Sequence, residues 1–154
     1  MTARLNFYAA APETIQAMLD LSAKVENCGL EHSLMELVKT RASQINRCAY
    51  CIHMHTKDAR AHGETEERLY LLDAWRESSL YTDRERAALA WTEALTNVAQ
   101  TGAPDEDYAA LQAQFTPEEQ VKLTLAITTI NAWNRFAIGF RSQHPKAKVR
   151  VTAA

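Results

Sequence analysis

The stretch ELVKTRASQINRCAYCIHMHTKDAR, residues 36–60, contains two helix-like segments, and the second carries two cysteines and a histidine. Cys48 and Cys51 are three positions apart, and His55 follows Cys51 by four. Residues at these spacings are neighbours on an α-helix, so the three side chains share one face. The Cβ atoms of residues three apart are about 5–6 Å from each other, which permits a disulfide after a small adjustment. The stretch therefore predicts an all-helical thiol site.

Two thiols beside an imidazole can carry out redox chemistry. Only the thiolate of a cysteine is nucleophilic, and a helix N-terminus or a neighbouring base favours that form. The helix begins at or near Cys48, where its free N–H groups favour negative sulfur, and His55 can accept a proton from Cys51. A peroxide attacked by the thiolate leaves a sulfenic acid, which the second cysteine converts to a disulfide. By helical geometry, Tyr50 and His53 point away from this face.

The rest of the chain also has the pattern of helices. It contains only four Gly and four Pro, and no Asn-Gly or Asp-Gly pair separates alternating apolar runs. Apolar spacing and cap signals predict an all-α bundle of about six to seven helices, with the Cys-x-x-Cys pair at the start of one. The predicted segments are residues 12–28, 32–45, 48–62, 65–75, 82–100, 105–115 and 116–140.

Two of the predicted helices have well-defined starts. Thr82 with Glu85, and Thr116 with Glu119, have the spacing of capping boxes. The last helix is apolar over most of its circumference, which predicts that it is buried at the centre of the domain or between subunits.

Composition and charge limit the class of protein. The chain has 154 residues, of which 47% are hydrophobic and 23% charged, as expected for one domain spanning residues 1–154. A net charge of -2 gives no reason to expect nucleic acid or an anionic membrane as a partner. The basic cluster at residues 146–150 is interpreted as a solvated tail.

The N-terminus and the thiol count bear on location. Residues 1–11 lack the apolar run of a signal peptide, and the sequence has no transmembrane stretch, so we expect a cytoplasmic protein. Thiols are kept reduced there, and a Cys-x-x-Cys pair is then more often redox-active or metal-binding than a structural disulfide.

Three other residues are interpreted as structural. Cys28 has no partner at motif spacing and is expected to be a buried thiol. Asn134 and Arg135 are expected to be polar anchors in the last helix.

Zinc binding is the metal alternative for the thiol site. Structural zinc sites use four ligands, and Cys48, Cys51 and His55 supply three. His53 or Asp58 would have to turn inward to complete the set. A thioredoxin-like site does not fit, because no βαβ pattern surrounds the cysteines. We therefore expect no bound metal.

The quoted stretch resembles the core signature of the alkylhydroperoxidase D-like (AhpD-like) proteins, within the carboxymuconolactone decarboxylase superfamily. That signature has a Glu, then a Cys twelve positions on, within Cys-x-x-Cys-x-x-x-His. Glu36, Cys48, Cys51 and His55 match it. The resemblance continues through HGETEERLYLLDAW, YTDRERAALAWTEALT and INAWNRFAIGFR, and it covers about residues 30–142.

The resemblance implies an all-α fold, homo-oligomers (trimers or hexamers), and peroxidase or disulfide-reductase chemistry with no metal, haem or other cofactor. Carried over from the family, Cys51 is the peroxidatic thiol and Cys48 the resolving thiol and proton donor. His55 and Glu36 are a proton relay, and an external dithiol or disulfide reductase resets the disulfide.

The sequence departs from the family pattern at one position, and the roles of two further groups have competing interpretations. Some family members have a histidine immediately before the second cysteine, whereas this chain has Tyr50, and a phenol can donate a hydrogen bond but does not titrate near neutral pH. The helix terminus favours Cys48 as the more acidic thiol, whereas the family assigns attack to Cys51. Glu36 points away from the apolar stripe of its helix, so a solvated carboxylate is the alternative to its catalytic role.

Two other functions therefore stay open. One is lactone opening or decarboxylation, although superfamily members with that chemistry generally lack the cysteine pair. The other is a non-enzymatic, stress-associated protein that binds zinc.

Overall fold

The fold is all-α, as predicted, in the computed structural model, which describes residues 2–145. No residue within that range is in a β-strand. None of the described helices has the length and apolar character needed to cross a membrane. The predicted basic tail, residues 146–150, lies outside the described residues. The elements are α1 (Phe7–Ala10), α2 (Pro12–Glu26), α3 (His32–Ile45), α4 (Ala49–Ala61), α5 (Glu66–Tyr70), a 3₁₀ turn (Leu72–Ala74), α6 (Asp83–Thr96), α7 (Val98–Thr101), α8 (Asp105–Gln114) and α9 (Pro117–Phe140).

Residues 2–145 form nine α-helices rather than six to seven, and the differences lie in the short elements. α1 precedes Pro12 and is not predicted, because four residues are too few to show a helical period. The predicted helix at residues 65–75 divides into α5 and the 3₁₀ turn. The predicted helix at residues 82–100 divides at Asn97, whose side-chain amide donates to the carbonyl of Glu93 and ends α6.

The two predicted capping boxes are confirmed. The Thr82 hydroxyl accepts from the backbone N–H of Glu85, and the Glu85 carboxylate accepts from the N–H of Thr82. Thr116 and Glu119 make the same reciprocal pair at the start of α9. Each box satisfies two N–H groups that the first helical turn leaves free.

The central element of the bundle is α3, which packs against α4, α6 and α9. Residues 34–40 are all buried, including Glu36 and Lys39. The main core surrounds this helix and is formed by side chains that include Val38, Trp91 and Ile127. Glu36 and Lys39 of α3 pair with each other, and Arg41 pairs with Glu93 and Asp73 outside α3. The helix therefore carries charged residues although residues 34–40 are enclosed.

The last helix, α9, is not buried all round. It packs one side against α3, α6 and α2, it exposes Val121 and Leu125 on the other, and Ile138 is exposed near its C-terminal end. Of the two locations predicted for this helix, the centre of the domain is therefore wrong. The other predicted location, between subunits, would cover the apolar side chains of α9 that a single chain leaves exposed.

Cys28 is less buried than predicted. Its thiol is free and only half-buried, and the side chain packs against the main core just after α2. It is a structural side chain at the edge of the core, rather than a fully enclosed one.

Candidate active site

Cys48 and Cys51 form a disulfide at the start of α4, with Cα atoms 5.4 Å apart. Cys48 is the N-cap residue, and its Sγ accepts a hydrogen bond of 3.3 Å from the backbone N–H of Cys51. Both residues are buried. The predicted place of the pair at a helix start is confirmed, and the Cys48 sulfur lies where first-turn N–H groups favour negative charge.

A left-handed turn places Cys48 at this helix end. Arg47 has a φ of 58°, and its N–H donates to the carbonyl of Gln44 at 3.0 Å. The N–H of Cys48 donates to the carbonyl of Ser43 at 2.9 Å. This pair of bonds is a Schellman motif, so α3 ends and α4 begins within a few residues.

Asn134 of α9 fixes the same turn from the opposite side. Its side chain is fully buried, its Oδ1 accepts from Asn46 at 2.8 Å, and its Nδ2 donates to the Ser43 hydroxyl at 3.0 Å. Arg135 is exposed and bonds within α9 to Asn131. The prediction of a polar anchor is confirmed for Asn134, whereas Arg135 makes only a local contact.

Glu36 and His55 are in direct contact. Oε2 of Glu36 lies 2.9 Å from Nδ1 of His55, and the two side chains come from adjacent helices, α3 and α4. Glu36 is only 3% exposed, so the alternative of a solvated carboxylate is wrong. The sequence pattern fails here because α3 has no solvent face along this segment.

Lys39 binds the second oxygen of the same carboxylate. Its Nζ lies 3.0 Å from Oε1 of Glu36 and also contacts the carboxylate of Glu26 on α2. Burial raises the pKa of Glu36, but the hydrogen bond and charge of His55, followed by those of Lys39, outweigh burial and lower that pKa to about 2. Glu36 is therefore a carboxylate at neutral pH.

The other nitrogen of His55 is free to act. Nε2 is buried and has no hydrogen-bond partner among residues 2–145. With Nδ1 occupied by Glu36, Nε2 is the atom that can accept a proton from a neighbouring group. Cys51 lies one helical turn earlier on the same face of α4.

A cavity of about 500 Å³ opens beside these residues. Cys51 and His55 line it, whereas Cys48 and Glu36 are not among the described residues of its wall. Tyr50 also lines it, so the expectation that this side chain points away from the site is wrong. The cavity extends from Cys51 towards α9, so its wall also includes the side of α4 that carries Tyr50. His53 lies outside this wall, with its ring centroid 4.9 Å from that of His144.

Two groups of side chains among residues 2–145 have ligand atoms close enough together to hold a metal ion. They are Glu26 with His32 and Glu36, and Glu36 with His55 and Asp58. Neither contains a cysteine, so neither is the zinc set considered from the sequence. The Lys39 ammonium already contacts Glu26 and Glu36, the two carboxylates of the first group. Glu36 also belongs to the second group.

Sequence reasoning missed Lys39 and Glu26, and it also missed α1, whose Phe7 and Tyr8 line the cavity. Lys39 follows Glu36 by three positions, and that spacing on a helix was the available signal. Glu26 is thirteen residues from Lys39, on another helix, and no local pattern joins them.

Comparison with known proteins identifies the family. The carboxymuconolactone decarboxylase family profile matches residues 10–94. The uncharacterized protein YdfG of Bacillus subtilis is 41% identical over 138 residues, which are 90% of this chain and 94% of that protein.

Solved structures show the same fold. A crystal structure of a protein of unknown function from Agrobacterium tumefaciens, with a suggested assignment as antioxidant defence protein AhpD, has a TM-score of 0.93 and 49% identity. The match covers 95% of this chain and 100% of that one. The debrominase Bmp8 shares the fold at a TM-score of 0.80 and 19% identity, over 88% of this chain and 73% of its own. Together with the Cys-x-x-Cys pair, these matches show that the chain is an AhpD-like member of the carboxymuconolactone decarboxylase family.

Proposed function

We propose that the protein is a thiol-dependent peroxidase that reduces a hydroperoxide with the Cys48–Cys51 pair. The observation that supports this most is that the two thiols differ in their access to the cavity. Cys51 and His55 face a cavity, and Cys48 lies within disulfide distance of Cys51 but outside the cavity wall. A substrate in the cavity meets one thiol, and the second thiol is placed to react with the product.

The first step is attack by Cys51. His55 Nε2 takes the thiol proton, and the thiolate attacks the terminal oxygen of ROOH. The O–O bond breaks, the S–O bond forms, and the proton held by His55 passes to the leaving alkoxide, which gives ROH and Cys51 sulfenic acid. Glu36 accepts from His55 Nδ1 and stabilises the protonated imidazole between the two transfers.

The second step uses Cys48. Its sulfur attacks the sulfenic sulfur of Cys51, the S–O bond breaks, and the thiol proton leaves with the hydroxyl as water. The product is the disulfide found at the start of α4. An external dithiol or a disulfide reductase supplies the two electrons and two protons that restore the thiols.

Placement of Cys51 at the cavity favours it as the attacking thiol over Cys48. The helix terminus still acts on the Cys48 sulfur, which accepts the N–H of Cys51. We assign that interaction to the second step, because it stabilises Cys48 as a thiolate when it attacks or leaves. Tyr50 lines the cavity and is available as a hydrogen-bond donor to the substrate oxygen.

We also propose a homo-oligomer in the cytoplasm. Val121 and Leu125 lie about one turn apart on the exposed side of α9 and are 69% and 42% exposed, and apolar surface of this kind favours association. A disulfide that must be reduced in every cycle requires a compartment that supplies reductant.

The test is a thiol count on protein that has been reduced and freed of reductant. After one equivalent of cumene hydroperoxide, the wild type should lose two of its three thiols, and Cys48→Ser should accumulate a sulfenic acid that dimedone traps on Cys51. Cys28→Ser is the matched control and should still form the disulfide. Equal consumption of peroxide by Cys51→Ser would refute the proposal, and release of stoichiometric zinc would favour the metal-binding alternative.

A further inference from the structure

The N-terminal segment, residues 2–10, forms one wall of the cavity beside Cys51. The backbone N–H of Arg4 donates to the carbonyl of Phe140 at 2.9 Å, and its guanidinium donates to the carbonyl of Gly139 at 3.0 Å. These bonds attach the segment to the end of α9, and Asn6 then caps α1. The family profile match begins at residue 10, so this wall lies outside it.

The wall is aromatic. The Phe7 ring is buried and lies 5.3 Å from the ring of Phe136 and 5.6 Å from that of Phe140. The Tyr8 ring stacks on Trp133 with centroids 6.4 Å apart and an interplanar angle of 21°. Phe7, Tyr8 and Trp133 all line the cavity, and the indole N–H of Trp133 donates to the Ser22 hydroxyl at 2.8 Å, which fixes the ring.

The charged groups in the cavity wall are paired, and Lys39 is shared between Glu26 and Glu36. Among the described lining residues, the charged side chains are Glu26 and Lys39, which are paired with each other, and the remaining ionisable base is His55. Burial, followed by the nearby Tyr50 phenol, raises the pKa of Tyr8, so this ring stays neutral. The described part of the wall therefore offers no free cation to a carboxylate or phosphate group, and its one carboxylate, Glu26, is held by Lys39.

The size of the cavity exceeds the need of the smallest peroxide. Hydrogen peroxide is close in size to water, which occupies about 30 Å³ in the liquid. The cavity measures about 500 Å³, within the range of sites that bind drug-sized molecules. An apolar chamber of this size gains binding energy only from a substrate with a carbon skeleton that fills it.

We propose that the cavity binds the carbon skeleton of a neutral, bulky and apolar organic hydroperoxide, with a ring or branched group against Trp133 and Tyr8 and the peroxide oxygens at Cys51. Trp133 and Tyr8 are then specificity-determining residues. The choice of a peroxide rests on the proposed function, whereas binding of the apolar skeleton does not.

The kinetic test compares two peroxides with dithiothreitol as reductant. The ratio of kcat/KM for cumene hydroperoxide to kcat/KM for hydrogen peroxide should fall about tenfold in Trp133→Ala and about threefold in Tyr8→Ala, because each change removes an aromatic contact to the ring. Trp133→Phe should retain most of the ratio. Tyr70→Ala, on the exposed surface of α5, is the matched control and should leave the ratio unchanged. Tyr8 is 49% exposed, so its replacement tests the inference even where Trp133→Ala folds poorly.

The binding test needs no turnover. Cys51→Ser should bind 2-phenyl-2-propanol, the alcohol product of cumene hydroperoxide, and quench Trp133 fluorescence, and adding Tyr8→Ala should weaken that binding. An active wild type whose peroxide ratio is the same in all variants would overturn the inference and leave the proposed function standing. Binding of the alcohol by a protein without peroxidase activity would refute the proposed function and leave the binding inference standing. No binding by Cys51→Ser would overturn the inference.

Discussion

Oε2 of Glu36 lies 2.9 Å from Nδ1 of His55, and this contact joins the central helix of the bundle to the helix that carries the cysteines. Because Nδ1 is occupied, the free Nε2 is the nitrogen that can exchange a proton with Cys51. In the proposed mechanism, Glu36 acts on Cys51 through His55.

Replacing Glu36 with Gln should slow the first step of the reaction by about 10². The amide oxygen can still accept from Nδ1, but it carries no charge to stabilise protonated His55. The rate of thiol loss on mixing the reduced protein with cumene hydroperoxide measures this step. Glu26→Gln, which also removes a carboxylate from Lys39, is the control and should change the rate much less. Equal rates in wild type and Glu36→Gln would remove Glu36 from the relay.

Acid should weaken the fold through the same carboxylate. The pKa of Glu36 falls from 4.5 to about 2 on folding, so its contribution to the free energy of unfolding is complete above pH 4.5 and is lost as the pH falls towards 2. A shift of this size corresponds to about 3 kcal/mol. In urea titrations, the stability difference between wild type and Glu36→Gln should be largest near pH 6 and shrink below pH 4.5. A difference independent of pH would contradict the low pKa.

The elements that the sequence predicts well are those with strong local signals. The capping boxes at Thr82 and Thr116 need only four consecutive residues each, and both are present. The Cys-x-x-Cys pair is predicted at a helix start because Asn46 and Arg47 interrupt the apolar pattern before it, and Cys48 is indeed the N-cap.

The features that the sequence does not predict depend on distant contacts. The burial of Glu36 follows from the packing of three helices around α3, which a helical wheel of α3 alone cannot show. Phe7 and Tyr8 reach the cavity because Arg4 bonds to the last turn of α9, more than a hundred residues away. The apolar pattern of α9 predicts a helix buried at the centre of the domain or between subunits, yet in the single chain part of its apolar surface faces outward.

The buried amide of Asn134 should stabilise the fold more than its exposed neighbour does. Asn134→Ala leaves Asn46 and Ser43 without bonds that they make in the native turn, and we expect a loss of about 2–3 kcal/mol in the free energy of unfolding. Arg135→Ala is the matched control, and its effect should stay within about 0.5 kcal/mol. Chemical denaturation of both variants measures the difference. Similar losses would mean that the amide network does not anchor the turn before Cys48.

The exposed face of α9 should mediate self-association. Leu125→Glu places a charge about one turn from Val121 on the exposed side of α9, and burial of an unpaired charge is strongly unfavourable. Light scattering should show a multiple of the monomer mass for the wild type and a smaller species for Leu125→Glu. Tyr70→Glu alters another exposed apolar residue and should leave the mass unchanged. A monomeric wild type would refute the proposed oligomer.

Lys39 should set the pH below which the site stops working. Its ammonium and the hydrogen bond from His55 hold Glu36 ionised, so Lys39→Met should raise the pKa of Glu36 and move the acid limb of the rate profile to higher pH. Lys39→Arg keeps the charge and should restore the wild-type limb in large part. The wild-type limb from Glu36 lies near its pKa of about 2, so stopped-flow rates of Cys51 oxidation over roughly pH 4–8 should show this limb in Lys39→Met but not in the wild type. A lower rate with an unshifted limb in Lys39→Met would mean that Lys39 supports packing only, because loss of packing alone does not change the pKa of a carboxylate that remains paired with His55.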